Sequence, residues 1–229
     1  MAKEKVLTEQ DSLRIIQEMI QKAKAGAHYE RGQGPILWGS VIGFAGIMSF
    51  LEIYFKWNIP FDWWILTLVA LIPQVFIVLN DRKKNIVKTH EARAIDMVWA
   101  VFGISIFALV LYGNFIGQIT IQLLAEDDIT LWKRSGTDGS LASFQMFVPS
   151  IASLYLMIYG FPTLVTGVVI RCRSMLIGAC ICYILFVVSL YTPTVWDMLF
   201  IGIAGICNWL IPGIILRRQY LLSVKTKHV

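Results

Sequence analysis

The sequence predicts an all-α polytopic membrane protein with six transmembrane helices, arranged as three hairpins behind an N-terminal cytoplasmic amphipathic helix. Two observations carry this prediction. Of the 229 residues, 57% are hydrophobic and only 15% are charged, whereas soluble domains carry about 25% charged residues. The charges are also bunched between long apolar runs, which is typical of a chain that crosses a membrane repeatedly.

Six apolar runs qualify as spans, because a helix needs about 20 apolar residues to cross about 30 Å of hydrocarbon. The predicted spans are residues 35–55, 61–80, 97–116, 147–170, 174–191 and 196–216. The first run lies behind a polar segment and is too long for the apolar core of a signal peptide, so we expect it to remain as a helix. Residues 1–34 and the basic tail 217–229 flank this transmembrane domain.

The distribution of basic residues predicts the orientation. All but Lys56, Lys133 and Arg134 of the 20 Lys and Arg residues fall in the N-terminal segment, the second loop, the fourth loop or the tail. Basic residues in short loops resist translocation, so both termini are expected in the cytoplasm. The net charge of +5 is explained by this topology, and the lipid bilayer, not nucleic acid, is the expected surrounding partner.

Residues 8–25 are predicted to form the clearest aqueous helix. Thr8 and Asp11 are placed for a capping box, and Leu13, Ile16 and Ile20 follow one face at helical spacing. Acidic and basic residues nearly cancel on this helix, whereas helices that bind anionic lipid are usually strongly basic. The apolar face is therefore a candidate partner-binding face, and the glycine-rich stretch 26–34 is a joint into the first span.

Prolines and glycines give the bundle its internal pattern. Pro73, Pro162 and Pro212 each precede a basic cluster, which suggests three hairpins of similar plan. Glycines at close-packing spacing are interpreted as helix-packing faces, and they are Gly39, Gly43 and Gly46 in the first span and Gly202 and Gly205 in the sixth. After the third span, a short interfacial helix is expected to end near Arg134.

Polar residues inside the spans are the candidates for function. Six of them are placed to line a small polar cavity in the inner half of the bundle, namely Gln74, Tyr155, Tyr159, Thr163, Thr166 and Asn208. Hydrogen bonds between helices are the preferred alternative for these groups. Glu52 and Lys56 are spaced as a helical ion pair, which is preferred over a proton or ion relay.

No catalytic or cofactor motif is found. The four cysteines lie in or beside apolar segments without metal-binding spacing, and we interpret them as small core residues. A metal site built from His28, Glu30, His90 and Glu91 is conceivable but disfavoured. No nucleotide-binding loop or nucleophile motif is present, so no cofactor is expected and an enzyme is disfavoured.

Several short motifs resemble a family of bacterial multi-pass inner-membrane proteins of unknown function. They are Leu37-Trp38-Gly39, Gly103-Ile104-Ser105-Ile106-Phe107, Leu210-Ile211-Pro212-Gly213 and Leu216-Arg217-Arg218, together with the N-terminal amphipathic helix. The resemblance covers most of the chain. It implies a location in the cytoplasmic membrane of a bacterium, and it implies no activity, cofactor or site residue.

Two classes of function are therefore expected. The first is a non-catalytic regulatory or accessory component that binds a protein partner through the N-terminal helix, or a second copy of itself. The second is a small transporter or channel for an uncharged or weakly polar solute, suggested by the prolines and by the polar face of the fourth span, where Tyr155, Tyr159, Thr163 and Thr166 recur at helical spacing. The first is preferred because an ion pathway needs more intramembrane charge than the spans contain.

Overall fold

A computed structural model describes residues 32–84, 90–134, 136, 139–143 and 151–226. Helix accounts for 82% of the structure. The helices are α1 Gln33–Phe55, α2 Ile65–Lys84, α3 His90–Glu126, α4 Ile151–Val169, α5 Arg173–Ser189, α6 Val195–Gly205 and α7 Ile211–Thr226, and a π-helical turn Ile206–Leu210 joins α6 to α7. The predicted N-terminal helix, with Leu13, Ile16 and Ile20, lies outside the described residues.

Three helices are long and apolar enough to cross a membrane, which indicates a membrane protein. They are Gln33–Phe55, His90–Glu126 and the continuous segment Val195–Leu222. Three shorter apolar helices, Ile65–Asp81, Ser153–Val169 and Arg173–Ser189, lie between them in the sequence. The third run is longer than the sequence predicted, since α3 has 37 residues and therefore extends over about 55 Å.

The centre of the bundle is the contact between α1 and the segment formed by α6, the π-helical turn and α7. A Cβ atom added at Gly46 would lie 2.6 Å from the backbone nitrogen of Gly202, and one added at Gly39 would overlap the backbone of Leu210. The glycines of the first span and those of the sixth, Gly202 and Gly205, therefore lie on faces that pack against each other in antiparallel orientation. Their interpretation as packing faces is confirmed, and close backbone approach is the reason for it.

A second pair of helices, α4 and α5, packs beside this centre. Gly160 of α4 lies against the ring of Tyr183, and Gly167 lies against Met175 and Leu176 of α5. The chain reverses between the two helices at Arg171, which has a φ of 54°. The long helix α3 packs mainly on α4, and α2 packs on α1.

The helices α2 and α3 lie at the periphery, and their apolar side chains are largely exposed. Only 6% of the most apolar stretch of α3 is buried against the rest of the chain. A soluble protein cannot leave so large an apolar surface in water. These faces suit contact with lipid.

The loop after α3 differs from the prediction. The helix ends at Glu126, Asp128 takes a φ of 57°, and the chain continues into an antiparallel hairpin of β1 Trp132–Arg134 and β2 Leu141–Ser143. The prediction of a helix ending near Arg134 was wrong. The physical reason is the acidic run that begins at Glu126, because carboxylates oppose the negative end of the helix dipole.

The π-helical turn has a local cause in the sequence. Pro212 has no backbone N–H to donate to the carbonyl of Asn208, four residues earlier, so a regular α-helical bond is missing at this point. In a π-helical turn, each backbone N–H bonds to the carbonyl five residues earlier instead of four. Both Asn208 and Trp209 are then buried, at 0% and 2% exposure, although adjacent residues of a regular helix point about 100° apart.

Candidate functional site

Three fully buried polar residues, Thr163, Thr166 and Asn208, lie together with aromatic residues around the π-helical turn. We call this group the polar cluster, and it consists of Trp99 from α3, Tyr159, Thr163 and Thr166 from α4, and Asn208 and Trp209 from the π-helical turn. The three α4 residues recur at spacings of four and three, so they share one face of that helix. This face is directed at the centre of the bundle.

Two tryptophan–threonine hydrogen bonds hold the cluster. The indole nitrogen of Trp209 donates to the Thr163 hydroxyl at 2.9 Å, and that of Trp99 donates to the Thr166 hydroxyl at 3.0 Å. Each bond joins α4 to another helix. They satisfy polar groups that would otherwise be costly to bury in an apolar interior.

Asn208 makes the third interhelical bond. Its amide nitrogen donates to the carbonyl oxygen of Tyr159 at 2.8 Å. Because a carbonyl only accepts, the amide nitrogen must face it, and the amide oxygen must face the other way. That oxygen, Oδ1, is fully buried and has no hydrogen-bond partner among the described residues. An unmade bond of this kind costs about 1–3 kcal/mol.

Aromatic rings fill the space around these bonds. The rings of Tyr159 and Trp209 have centroids 4.8 Å apart, and those of Trp99 and Trp209 are 6.1 Å apart. Tyr155 lies at the edge of the cluster, with its ring centroid 6.3 Å from that of Tyr159. The cluster is thus packed by apolar ring faces and connected by polar edges.

Of the six residues proposed to line a cavity, five come together in or beside the polar cluster. Gln74 does not, because its side-chain oxygen accepts a hydrogen bond from the Trp38 indole at 3.2 Å, between α1 and α2. Interhelical hydrogen bonds, the preferred alternative, are formed by the side chains of Gln74, Thr163, Thr166 and Asn208. Tyr155 and Tyr159 contribute ring contacts instead. A cavity lined by them stays a prediction.

The proposed pair of Glu52 and Lys56 lies where α1 ends. One carboxylate oxygen of Glu52 accepts a hydrogen bond from the indole nitrogen of Trp63 at 2.9 Å. The main chain of Lys56 is left-handed, with a φ of 55°, and closes the helix through bonds to the carbonyls of Glu52 and Ile53. The ion pair stays a prediction.

Sequence reasoning missed several of these groups. Trp38, Trp99 and Trp209 were not among the candidate site residues, yet each indole donates to a side chain of another helix. The signal was available, since a buried Trp N–H usually requires an acceptor. Asp197 was not a candidate either, and it is 1% exposed in the first turn of α6.

Metal ligands are not gathered in the described part of the chain, where no group of three or more His, Cys, Asp or Glu residues is placed to hold an ion. All four cysteines are free thiols. The buried Cys182 donates to the carbonyl of Leu156 at 3.1 Å. Of the four residues in the disfavoured metal site, His28 and Glu30 lie outside the described residues.

No protein-family model matches the chain, and no curated protein or solved structure is significantly similar to it. The resemblance to bacterial inner-membrane proteins therefore stays a prediction, and function is argued from the site.

Proposed function

We propose that this protein is a non-catalytic multi-pass membrane component that holds a protein partner through its N-terminal segment. The observation that carries this proposal is how the buried polar groups of the bundle are used. Three indoles bond to side chains of neighbouring helices, and the glycine faces bring α1 against the last helical segment. A helix bundle held together in this way is suited to anchor and position the cytoplasmic N-terminal segment.

The proposed topology has six spans in three hairpins, with both termini in the cytoplasm of a bacterium and the bundle in the inner membrane. The three shorter apolar helices supply the additional crossings. A helix of 17 residues, the length of Ile65–Asp81 and Arg173–Ser189, covers about 25 Å, and a modest mismatch with the hydrocarbon thickness is accommodated by local thinning of the bilayer. The bias of basic residues supports the orientation.

The proposed contact with the partner is the apolar face of the N-terminal helix. Leu13, Ile16 and Ile20 recur at helical spacing, and the charges of this helix nearly balance. An amphipathic helix of this kind fits a hydrophobic groove of another protein. A strongly basic helix would have favoured the anionic lipid surface instead.

Copurification of partners tests this function. The full-length protein is tagged at its C-terminus, solubilised from native membranes in mild detergent, and compared with Ile16→Lys on the apolar face and Gln17→Lys beside it. We expect one defined partner to copurify with the full chain and with Gln17→Lys, but to be lost with Ile16→Lys. A partner retained by both variants, or no partner at all, contradicts the proposal.

A small transporter for an uncharged or weakly polar solute is the second candidate. The specific observation in its favour is the buried Asn208 oxygen without a described partner, placed in a π-helical turn of the kind often found at functional sites. Its test is the flux of glycerol and urea into proteoliposomes. Flux above that of empty liposomes, reduced by Asn208→Leu, would favour transport over the partner-binding function.

A further inference from the structure

A second site lies away from the polar cluster, where α1 ends and α2 begins. A groove of about 430 Å³ opens between the end of α1, the connection to α2 and the start of α6. We call it the outer groove and define it by Ser49, Glu52, Phe61, Asp62, Trp63 and Trp64. The groove combines two carboxylates with three aromatic rings.

Each carboxylate has one oxygen engaged within the protein. Oε2 of Glu52 accepts from the Trp63 indole at 2.9 Å, and Oδ1 of Asp62 accepts from the backbone N–H of Trp64 at 2.9 Å. These bonds fix the two side chains at the wall of the groove. The second oxygen of each carboxylate accepts no hydrogen bond from the described residues, so acceptor capacity is left for a ligand.

Ser49 gives independent support for a ligand. Its side chain lines the groove and is only 8% exposed. A serine in a helix ordinarily bonds to a carbonyl of the preceding turn, as Ser40 does to Ile36. The Ser49 hydroxyl makes no such bond to any described residue. A hydrogen-bonding group that enters the groove would supply the partner that this hydroxyl lacks among the described residues.

The aromatic walls decide which cation fits. The rings of Phe61 and Trp63 meet edge to face, with centroids 5.3 Å apart. Aromatic faces attract weakly hydrated organic cations such as quaternary ammonium groups. Calcium and magnesium instead need about six oxygen ligands, and the described part of the chain gathers no such set around the groove.

We propose that the outer groove binds an organic ammonium ion of the size of ethanolamine or choline. The cation rests against the aromatic rings, the carboxylates supply the opposing charge, and the Ser49 hydroxyl completes the polar contacts. Two sources offer this chemistry, a zwitterionic lipid headgroup and a free amine in solution. Under the proposed topology the groove lies at the outer membrane–water interface, where such headgroups are found.

Lys56 is the neighbouring cation of this chain. It is exposed and lies one helical turn beyond Glu52, so its ammonium group is a competitor for the carboxylates. Because Lys56 would compete with a bound cation for the carboxylates, its replacement provides a second variant for the test. Replacing Lys56 by glutamine removes the charge and leaves the carboxylates and the rings in place.

The test is calorimetric titration of the purified full chain in neutral detergent with choline chloride. The uncharged isostere 3,3-dimethyl-1-butanol is the control ligand. We expect choline to bind and the alcohol not to bind. Glu52→Gln should weaken choline binding by about tenfold, because the charge-assisted contact is lost, whereas Glu126→Gln, far along the chain in α3, should leave it unchanged.

Three outcomes overturn the proposal. The first is equal binding of choline and the alcohol. The second is an affinity for choline that is unchanged in Glu52→Gln. The third is that neither the natural chain nor Lys56→Gln binds choline. Circular dichroism of each variant checks that it is folded. Tighter choline binding by Lys56→Gln supports the proposal, because it shows that the lysine competes for the same carboxylates.

Native mass spectrometry identifies the source of the cation. The natural chain and Glu52→Gln are extracted from nanodiscs that contain equal amounts of phosphatidylethanolamine and phosphatidylglycerol. Preferential retention of phosphatidylethanolamine by the natural chain alone assigns the groove to a lipid headgroup. Equal retention of both lipids, together with choline binding in detergent, assigns it to a soluble amine.

Discussion

At the scale of single residues, tryptophan N–H groups connect the helices of this bundle. Trp38, Trp99 and Trp209 each donate to an acceptor on a different helix. In the apolar interior of a membrane no water is available to replace a lost bond. Each indole therefore acts as both packing volume and interhelical connector.

We predict that Trp209→Phe destabilises the bundle by about 0.6–1.7 kcal/mol, from the mean to the largest value measured for interhelical hydrogen bonds in a membrane protein. The change keeps most of the ring packing and removes the bond to Thr163, which is 2.9 Å long. Unfolding in mixed detergent micelles measures the loss. Thr163→Val removes the same bond from the other side.

A double-mutant cycle separates this bond from the packing of the ring. If the bond carries the effect, the double variant loses less stability than the sum of the two single variants. Trp132→Phe is the control, because Trp132 lies in the exposed β1 strand and its indole donates to Thr130, two residues away. Additive losses would contradict the role assigned to the Trp209–Thr163 bond.

At the scale of elements, glycine determines how closely α1 approaches the last helical segment. At Gly46 the backbone of Gly202 is near enough that a Cβ atom has no space. The opposite situation is found on α3, where nothing lies within 4 Å of a Cβ built at Gly103. The two glycines therefore have different physical roles despite their similar apolar surroundings in the sequence.

We predict that Gly46→Ala destabilises the bundle by about 1–3 kcal/mol, because the added methyl group forces the two helix backbones apart. Thermal unfolding in detergent, followed by circular dichroism, measures the change. Gly103→Ala is the matched control. It should leave stability unchanged or raise it by up to about 1 kcal/mol through helix propensity alone.

Equal losses of stability from the two alanine variants would show that the contact between α1 and the last helical segment is not the one described.

The π-helical turn also combines a local cause with a tertiary effect. Its position next to Pro212 is local in origin, but its consequence is tertiary, since it turns both Asn208 and Trp209 toward α4.

At the scale of the whole molecule, α2 and α3 surround a compact centre and expose apolar faces. Three helices are long and apolar enough to cross a membrane, and three shorter ones accompany them. If only the three long helices crossed, the termini would lie on opposite sides. With six spans, they lie on the same side.

Reporter fusions distinguish the two arrangements. We predict that green fluorescent protein fused after Lys84 or after Val229 is fluorescent, because both positions are cytoplasmic in the six-span topology. Alkaline phosphatase fused after Arg134 should be active, because that hairpin lies outside. Active phosphatase at the C-terminus, or fluorescence lost there alone, would contradict an even number of spans.

The mainly helical, membrane-type fold was predictable from the sequence, and the site only in part. Apolar runs predicted helices at all six places, because lipid demands long uninterrupted apolar segments. The polar face of α4 was found from spacing alone. Its partners were not, because the pairing of Thr163 with Trp209 and of Thr166 with Trp99 depends on how three helices are rotated.

The sequence by itself determined which segments are helical and apolar, and it determined where glycine permits close packing. These are local properties, set by side-chain chemistry along one stretch of chain. The tertiary structure alone decided that Gln74 bonds to Trp38 away from the polar cluster, and that Glu52 bonds to Trp63 at the edge of the outer groove. The reason is that a hydrogen bond needs two groups within about 3 Å, and helix rotation and neighbour order, which no single segment encodes, decide which groups meet.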